Sequence, residues 1–151
     1  MIRMMKILVP TDFSEHSTKA VQYGAALAAK FGAELHLLHS LEAIPILGGE
    51  GSFYPPDSEA EREAAAVKQL DDVKRDISDD VKVVLQAKLG HPFVEIVRYA
   101  KDAGIDLIVI GTHGRGAIAH MLLGSVAERV VRKAPCPVLA VRDEEHEFVL
   151  P

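Results

Sequence analysis

The chain has 151 residues, 48% apolar and 26% charged. That balance fits one globular domain and excludes a wholly disordered chain. With 22 acidic against 17 basic side chains the net charge is −5, which excludes a nucleic-acid binder working by bulk phosphate attraction but not a small anionic ligand. No apolar run reaches the roughly 20 residues of a bilayer span, so no membrane partner is expected. The apolar part of residues 1–10 is too short for a signal peptide. A lone cysteine, Cys136, cannot form an internal disulfide, and a cytoplasmic home is the simplest expectation.

In chain order, Ile7-Leu8-Val9 is a short apolar run stopped by Pro10-Thr11-Asp12, a buried strand and its turn. Helical spacing follows over 14–31, with Ala20, Gly24, Leu27 and Phe31 on one face. Either Asp12 or Ser14 can cap it, Asp12 with Glu15 fitting a capping box, and Gly32 suits a left-handed end. Residues 35–39 read as the second strand. His36 and His39 fall at i and i+3 there, hence on opposite faces, which argues against a metal pair. Residues 42–57, with Gly48, Gly49, Gly51, Pro55 and Pro56, are an expected long loop, functional or mobile.

Ser58 and Glu61 form a capping-box pattern opening a helix to about Asp76, with Ala65, Leu70 and Val73 as its apolar stripe. The acidic run Asp71-Asp72 to Asp79-Asp80 reads as a solvated helix end. Residues 81–85 are a β-branched third strand. Pro92 suits the first turn of the next helix, which keeps Phe93, Ile96, Val97 and Ala100 on one face and closes at Gly104. Residues 106–110 form a strand apolar on both faces. A glycine-rich segment leads into a helix over 125–133 with Val126, Val130 and Val131 inward. Val138-Leu139-Ala140-Val141 makes a fifth strand, and a polar tail covers 143–151. Strands alternating with helices give a single-domain α/β fold, a doubly wound parallel sheet. Its ligands sit beyond the carboxyl ends of the strands.

That rule singles out the turns after the first and fourth strands. Gly111-Thr112-His113-Gly114-Arg115 leaves strand four, and Gly124-Ser125-Val126 opens the next helix. Glycines admit close approach to backbone amides. A helix N-terminus offers unpaired N–H groups and about half a positive charge. The pattern suits phosphate, yet Ser125 and Glu128 also spell an ordinary capping box, and the glycines can simply shape the strand exit. It is neither the nucleotide P-loop nor the dinucleotide fingerprint. His113 can touch phosphate or be a solvated loop residue, and Arg115 can face phosphate or solvent. Asp12 can contact a ligand or cap its helix. Cys136, between two prolines, reads as a buried structural thiol.

Gly111-x2-Gly114-x9-Gly124-Ser125, together with Pro10-Thr11-Asp12 and Pro135-Cys136-Pro137-Val138, resembles the ATP-binding signature of the universal stress protein family over about residues 5–142. The resemblance implies a five-stranded sheet of order 3-2-1-4-5 in a Rossmann-like adenine-nucleotide-binding fold. It implies ATP contacts from Pro10, Thr11 and Asp12 at ribose and adenine, and from Ser40 at the adenine edge. Many relatives carry valine where this chain has Ser40, so packing on the base is expected to be weaker. Gly111, Thr112, His113, Gly114 and Arg115 match the ribose and phosphate turn, and Gly124, Ser125 and Val126 the phosphate-binding helix start. A homodimer through Val138, Leu139, Ala140 and Val141 is implied as well.

Opposite unit charges 4 Å apart near a surface are worth about 4 kcal/mol. Arg115 and one helix end are too little for a triphosphate on an acidic protein, so Mg²⁺ held by the phosphates and water is expected. The functional expectation is an ATP-binding regulatory protein of the stress-response type with at most slow hydrolysis. The alternatives are a ligand-independent dimeric interaction module and a slow ATPase or phosphotransferase.

Overall fold

The computed structural model describes residues 1–43, 58–113 and 123–142. Its elements run β1 (Lys6–Pro10), α1 (Glu15–Phe31), β2 (Glu34–Leu41), α2 (Glu59–Lys74), β3 (Val83–Leu89), α3 (Pro92–Asp102), β4 (Leu107–Gly111), α4 (Ser125–Lys133) and β5 (Val138–Val141). All strand pairs are parallel, and the sheet order is β3-β2-β1-β4-β5, as expected.

The period-2 alternation of the strands divides the core in two. Ile7, Val9, Leu35, Leu37 and Val109 face α1 and α2, meeting Ala20, Val21, Ala28 and Leu70. Leu8, Leu38, Ile108 and Ile110 face α3 and α4, meeting Ile96, Ala100, Ala127 and Val130. Small residues on α1 bring it close to the sheet: a Cβ on Gly24 would run into the Val9 side chain.

Several helix faces are turned from the expected phase. On α1 the buried line is Ser17, Ala20, Val21, Gly24 and Ala28, and Phe31 is exposed. On α2, Ala66 is buried where Ala65 was expected, with Leu70. On α3, Glu95 joins Ile96 and Ala100. On α4, Ala127 and Val130 are buried, while Val131 is exposed. Apolar type alone misleads here because the buried line is set by which side of the helix meets the sheet: Ala28, Ala66 and Val130, close in sequence to Phe31, Ala65 and Val131, are the buried residues. The third strand begins two residues later than expected and runs four further, to Leu89, because β2 extends to Leu41 and pairs with it there.

Helix starts divide into two kinds. Ser14 caps α1 by accepting from the Ser17 amide. Asp12 Oδ1 accepts from the Ser14 amide at 2.9 Å, so the Asp12–Glu15 capping box does not form. Ser58 and Glu61 close the expected capping box on α2. His91 before α3 and Gly124 before α4 supply no capping side chain. The Ser125–Glu128 box is therefore also absent. The helix begins one residue early, with Gly124 at the cap and Ser125 already inside, and Glu128 Oε1 instead accepts from Arg132 at 2.9 Å. Gly32 takes the left-handed conformation at the end of α1.

Candidate functional site

A cleft of about 680 Å³ opens beyond the carboxyl ends of β1, β2 and β4. It falls where β1 lies between β2 and β4, so the chain leaves β1 toward one side and returns on the other. Pro10, Thr11, Asp12, Ser40, Gly111, Thr112, His113, Gly124, Ser125 and Val126 all line it. Gly114 and Arg115 lie outside the described residues.

A hydrogen-bonded relay whose direction is fixed builds the first wall. Ser17 Oγ donates to the Ser14 carbonyl at 2.9 Å. Thr11 Oγ1 lies 3.0 Å from Ser17 Oγ and so donates to it, and Thr11 Oγ1 accepts from the Phe13 amide at 3.1 Å. Phe13 sits at φ 63°, a conformation that bulky residues rarely adopt. Its ring packs on His39 at 4.4 Å between centroids. The strain, about 1–3 kcal/mol in such cases, is offset by these contacts. They turn Thr11 and Asp12 back along the cleft.

His39 belongs to the same wall. Its Nδ1 lies 2.8 Å from the Thr11 carbonyl. A carbonyl only accepts, so Nδ1 carries the proton. The position of His39 near the carboxyl end of β2 was the sequence signal for it. Arg62 had no such signal: it reaches the cleft from α2, and its Nη2 donates to the Glu42 carbonyl at 2.8 Å.

The opposite wall is the β4–α4 junction. The Thr112 amide donates to Val141 and the Thr112 carbonyl accepts from Gly124, so one residue ties the edge strand and the α4 start to the end of β4. Thr112 Oγ1 and His113 Nδ1 are 3.0 Å apart and buried. His113 lies beside His16, with ring centroids 6.1 Å apart. It is therefore packed, not a solvated loop residue. A Cβ on Gly111 would stand 2.8 Å from the His16 carbonyl, and one on Gly124 3.0 Å from the Thr112 carbonyl. Neither glycine has positive φ. The fold requires Gly111 for room between backbones, and a side chain at Gly124 would press tightly on the Thr112 carbonyl; neither serves an unusual turn.

The electrostatics favour an anion at the α4 side. Gly124, Ser125, Val126 and Ala127, the cap and first turn of α4, line the cleft, as does Pro92 at the start of α3. These are the two helix starts without a capping side chain. Unpaired first-turn amides and the helix dipole both attract negative charge there.

The sheet's other rim is closed by polar ties. Asp106 Oδ2 accepts from the Met5 and Lys6 amides at 2.8 and 3.0 Å. Glu34 accepts from Lys82 Nζ and from His36 Nε2. With Nε2 donating, the His36 Nδ1 accepts from Tyr99 Oη at 2.7 Å. Burial holds His36 below the usual imidazole value, against the raising influence of Glu34. Burial also raises the Tyr99 phenol. Cys136 sits near this end, its thiol pushed up by burial and then by Asp106, which keeps it protonated rather than nucleophilic. His36 and His39 do face opposite sides of β2, one bonded to α3 and the other to the β1 turn.

Fold and cleft together define a doubly wound α/β protein with an anion-suited cleft at the carboxyl rim of its sheet. Residues 4–142 match the universal stress protein family, and the chain belongs to it. A universal stress protein of Methanocaldococcus jannaschii is 37% identical over 145 residues, covering 94% of this chain and 84% of its own. A second from that archaeon, MJ0577, is 33% identical, covering 91% and 94%. The solved MJ0577 structure superposes at a TM-score of 0.75 with 29% identity, covering 96% of this chain and all of that one. A universal stress protein solved in complex with cAMP superposes at 0.66 with 26% identity, covering 93% and 98%. Among the described residues no helix is long and apolar enough to cross a membrane.

Proposed function

We propose that this protein binds an adenine nucleotide, ATP with Mg²⁺, in the carboxyl-rim cleft and acts as a nucleotide-dependent regulator rather than as a fast enzyme. The observation that carries the reading is the pairing of an open helix start with a cleft of nucleotide size. The cleft volume of about 680 Å³ lies within the usual range for small-molecule sites. The α4 first turn, uncapped by any side chain, lines it. The cAMP complex of a relative supports an adenine nucleotide as the ligand class.

In this reading Ser125, Val126 and Ala127 present amides to phosphate, with Gly114 and Arg115 completing the turn. Thr11 and Asp12 meet the ribose, and Ser40 the base edge. Mg²⁺ supplies charge neutralisation at the phosphates. Among the described residues no group of three His, Cys, Asp or Glu side chains is placed to hold a metal, so phosphate oxygens and water are its proposed ligands. Bound nucleotide favours whichever conformation of the cleft walls grips it. Homodimerisation through β5 is part of the proposal. Val138 and Val141 pack into the two cores, which leaves the strand's outer edge with the exposed Leu139 and Ala140 for a partner.

The interaction-module alternative draws support from Gly111, which the fold needs with or without a ligand, and from the tight backbone packing at Gly124. Nucleotide released from freshly purified, denatured protein separates the readings, followed by Mg·ATP titration of the folded protein. ATP near one per chain, or saturable binding, is expected. An AMP or cyclic-nucleotide product would keep the site and change the signal. No nucleotide and no binding would leave the interaction module.

A further inference from the structure

The carboxyl end of β2 overhangs the sheet. On the β1 side its pairing ends at Pro10–Leu38, extended by one hydrogen bond from the Thr11 amide to the Leu38 carbonyl. On the β3 side it continues to Leu41–Leu89, and the Gly90 amide donates to the Leu41 carbonyl at 2.8 Å. Ser40, Leu41 and Glu42 thus form a cleft wall supported by the sheet from one side only. Arg62 supplies the other support. It stands just inside α2, whose start is locked by the Ser58–Glu61 capping box, and its hydrogen bond to the Glu42 carbonyl spans 20 positions of sequence. Among the described residues that is the guanidinium's one hydrogen bond.

We propose that Arg62 is a positioning residue of the cleft, fixing the Ser40–Glu42 wall through the Glu42 carbonyl and so setting affinity for the base and sugar end of the ligand. The inference rests on the adenine-nucleotide reading and adds to it a residue from outside the glycine segment and the first loop. Phosphate belongs to the α4 side, in the opposite wall. Loss of Arg62 then weakens a ligand in proportion to what it draws from the β2 wall, whether or not it carries phosphate.

The test is calorimetric titration of adenosine and of Mg·ATP into wild type, Arg62→Met and Arg62→Lys, with melting curves of the ligand-free proteins. Arg62→Met keeps most of the aliphatic stem and removes the donors. It is expected to weaken adenosine and ATP by the same factor, about tenfold, with little change in melting temperature. Arg62→Lys retains a donor and recovers part of the loss. ATP weakened with adenosine unchanged would make Arg62 a phosphate contact and overturn the proposal. So would unchanged affinities, or equal weakening with a large drop in melting temperature and no recovery by lysine. Wild type binding neither ligand would overturn the nucleotide reading itself.

Discussion

The two rims of the sheet are built on opposite principles. At the amino rim, charged side chains are spent on the protein itself: Asp106 on the Met5 and Lys6 amides, Lys6 Nζ on the Ala103 carbonyl at 3.0 Å, and Glu34 on Lys82 and His36. At the carboxyl rim the walls are held mainly by hydroxyls, backbone and the imidazoles of His39 and His113. Among the described cleft-lining residues the only charged ties are Asp12 on the Ser14 amide and Arg62 on the Glu42 carbonyl, and two helix starts are left without capping side chains. Charges committed to internal partners stabilise, whereas polar groups without such partners can recognise. The contrast assigns stability to one rim and binding to the other, and substitutions at each should separate the two.

The largest effect is expected from Gly111→Val. Its Cβ would press on the His16 carbonyl, and backbone yields poorly, so thermal denaturation should show a loss of about 3 kcal/mol. This substitution breaks the comparison, because room at the binding rim is also a condition of folding. Ser125→Asp should sharpen it. A carboxylate in the first turn of α4 favours the helix by about 0.5 kcal/mol while repelling phosphate. Calorimetry should find ATP weakened about tenfold or more in a protein that melts no lower than wild type.

At the other rim, Asp106→Ala should cost about 1–2 kcal/mol in denaturant melts, since two amides lose a charged acceptor, and leave nucleotide affinity unchanged. The smallest effect is a pH slope. The folded state holds His36 below its ordinary value of 6.5, so the unfolded chain takes up the proton first. Stability is then complete above about pH 6.5 and falls as pH drops from there toward the lower folded value, by at most about 1.4 kcal/mol per pH unit. A His36→Gln variant, compared by melts between pH 7.5 and 5.5, should lack that slope.

The order of elements was legible because each strand is a compact apolar run and each helix carries punctuation: Gly32 after α1, Ser58 before α2, Pro92 in α3. The carboxyl-end rule then led to the β1 and β4 turns, whose described residues share one cleft. Cap chemistry was less legible. Ser-x-x-Glu at 125–128 scores as a box on spacing, yet the helix starts one residue before it requires. Phase slipped at Phe31 and Val131 because apolar type does not say which side of the last turn meets the sheet: Ala28 and Val130, in the same turns, are the buried ones. Arg62 was invisible, since its partner Glu42 lies across a segment whose path no local pattern sets.

The most direct measurement is amide chemical-shift mapping by NMR as Mg·ATP is added. The account predicts the largest shifts at Ser125, Val126 and Ala127, with further shifts at Thr11, Ser40 and Leu41 and almost none at Glu34, Lys82 or Tyr99. No saturable shift at the α4 start, or shifts centred on the amino rim, would contradict it.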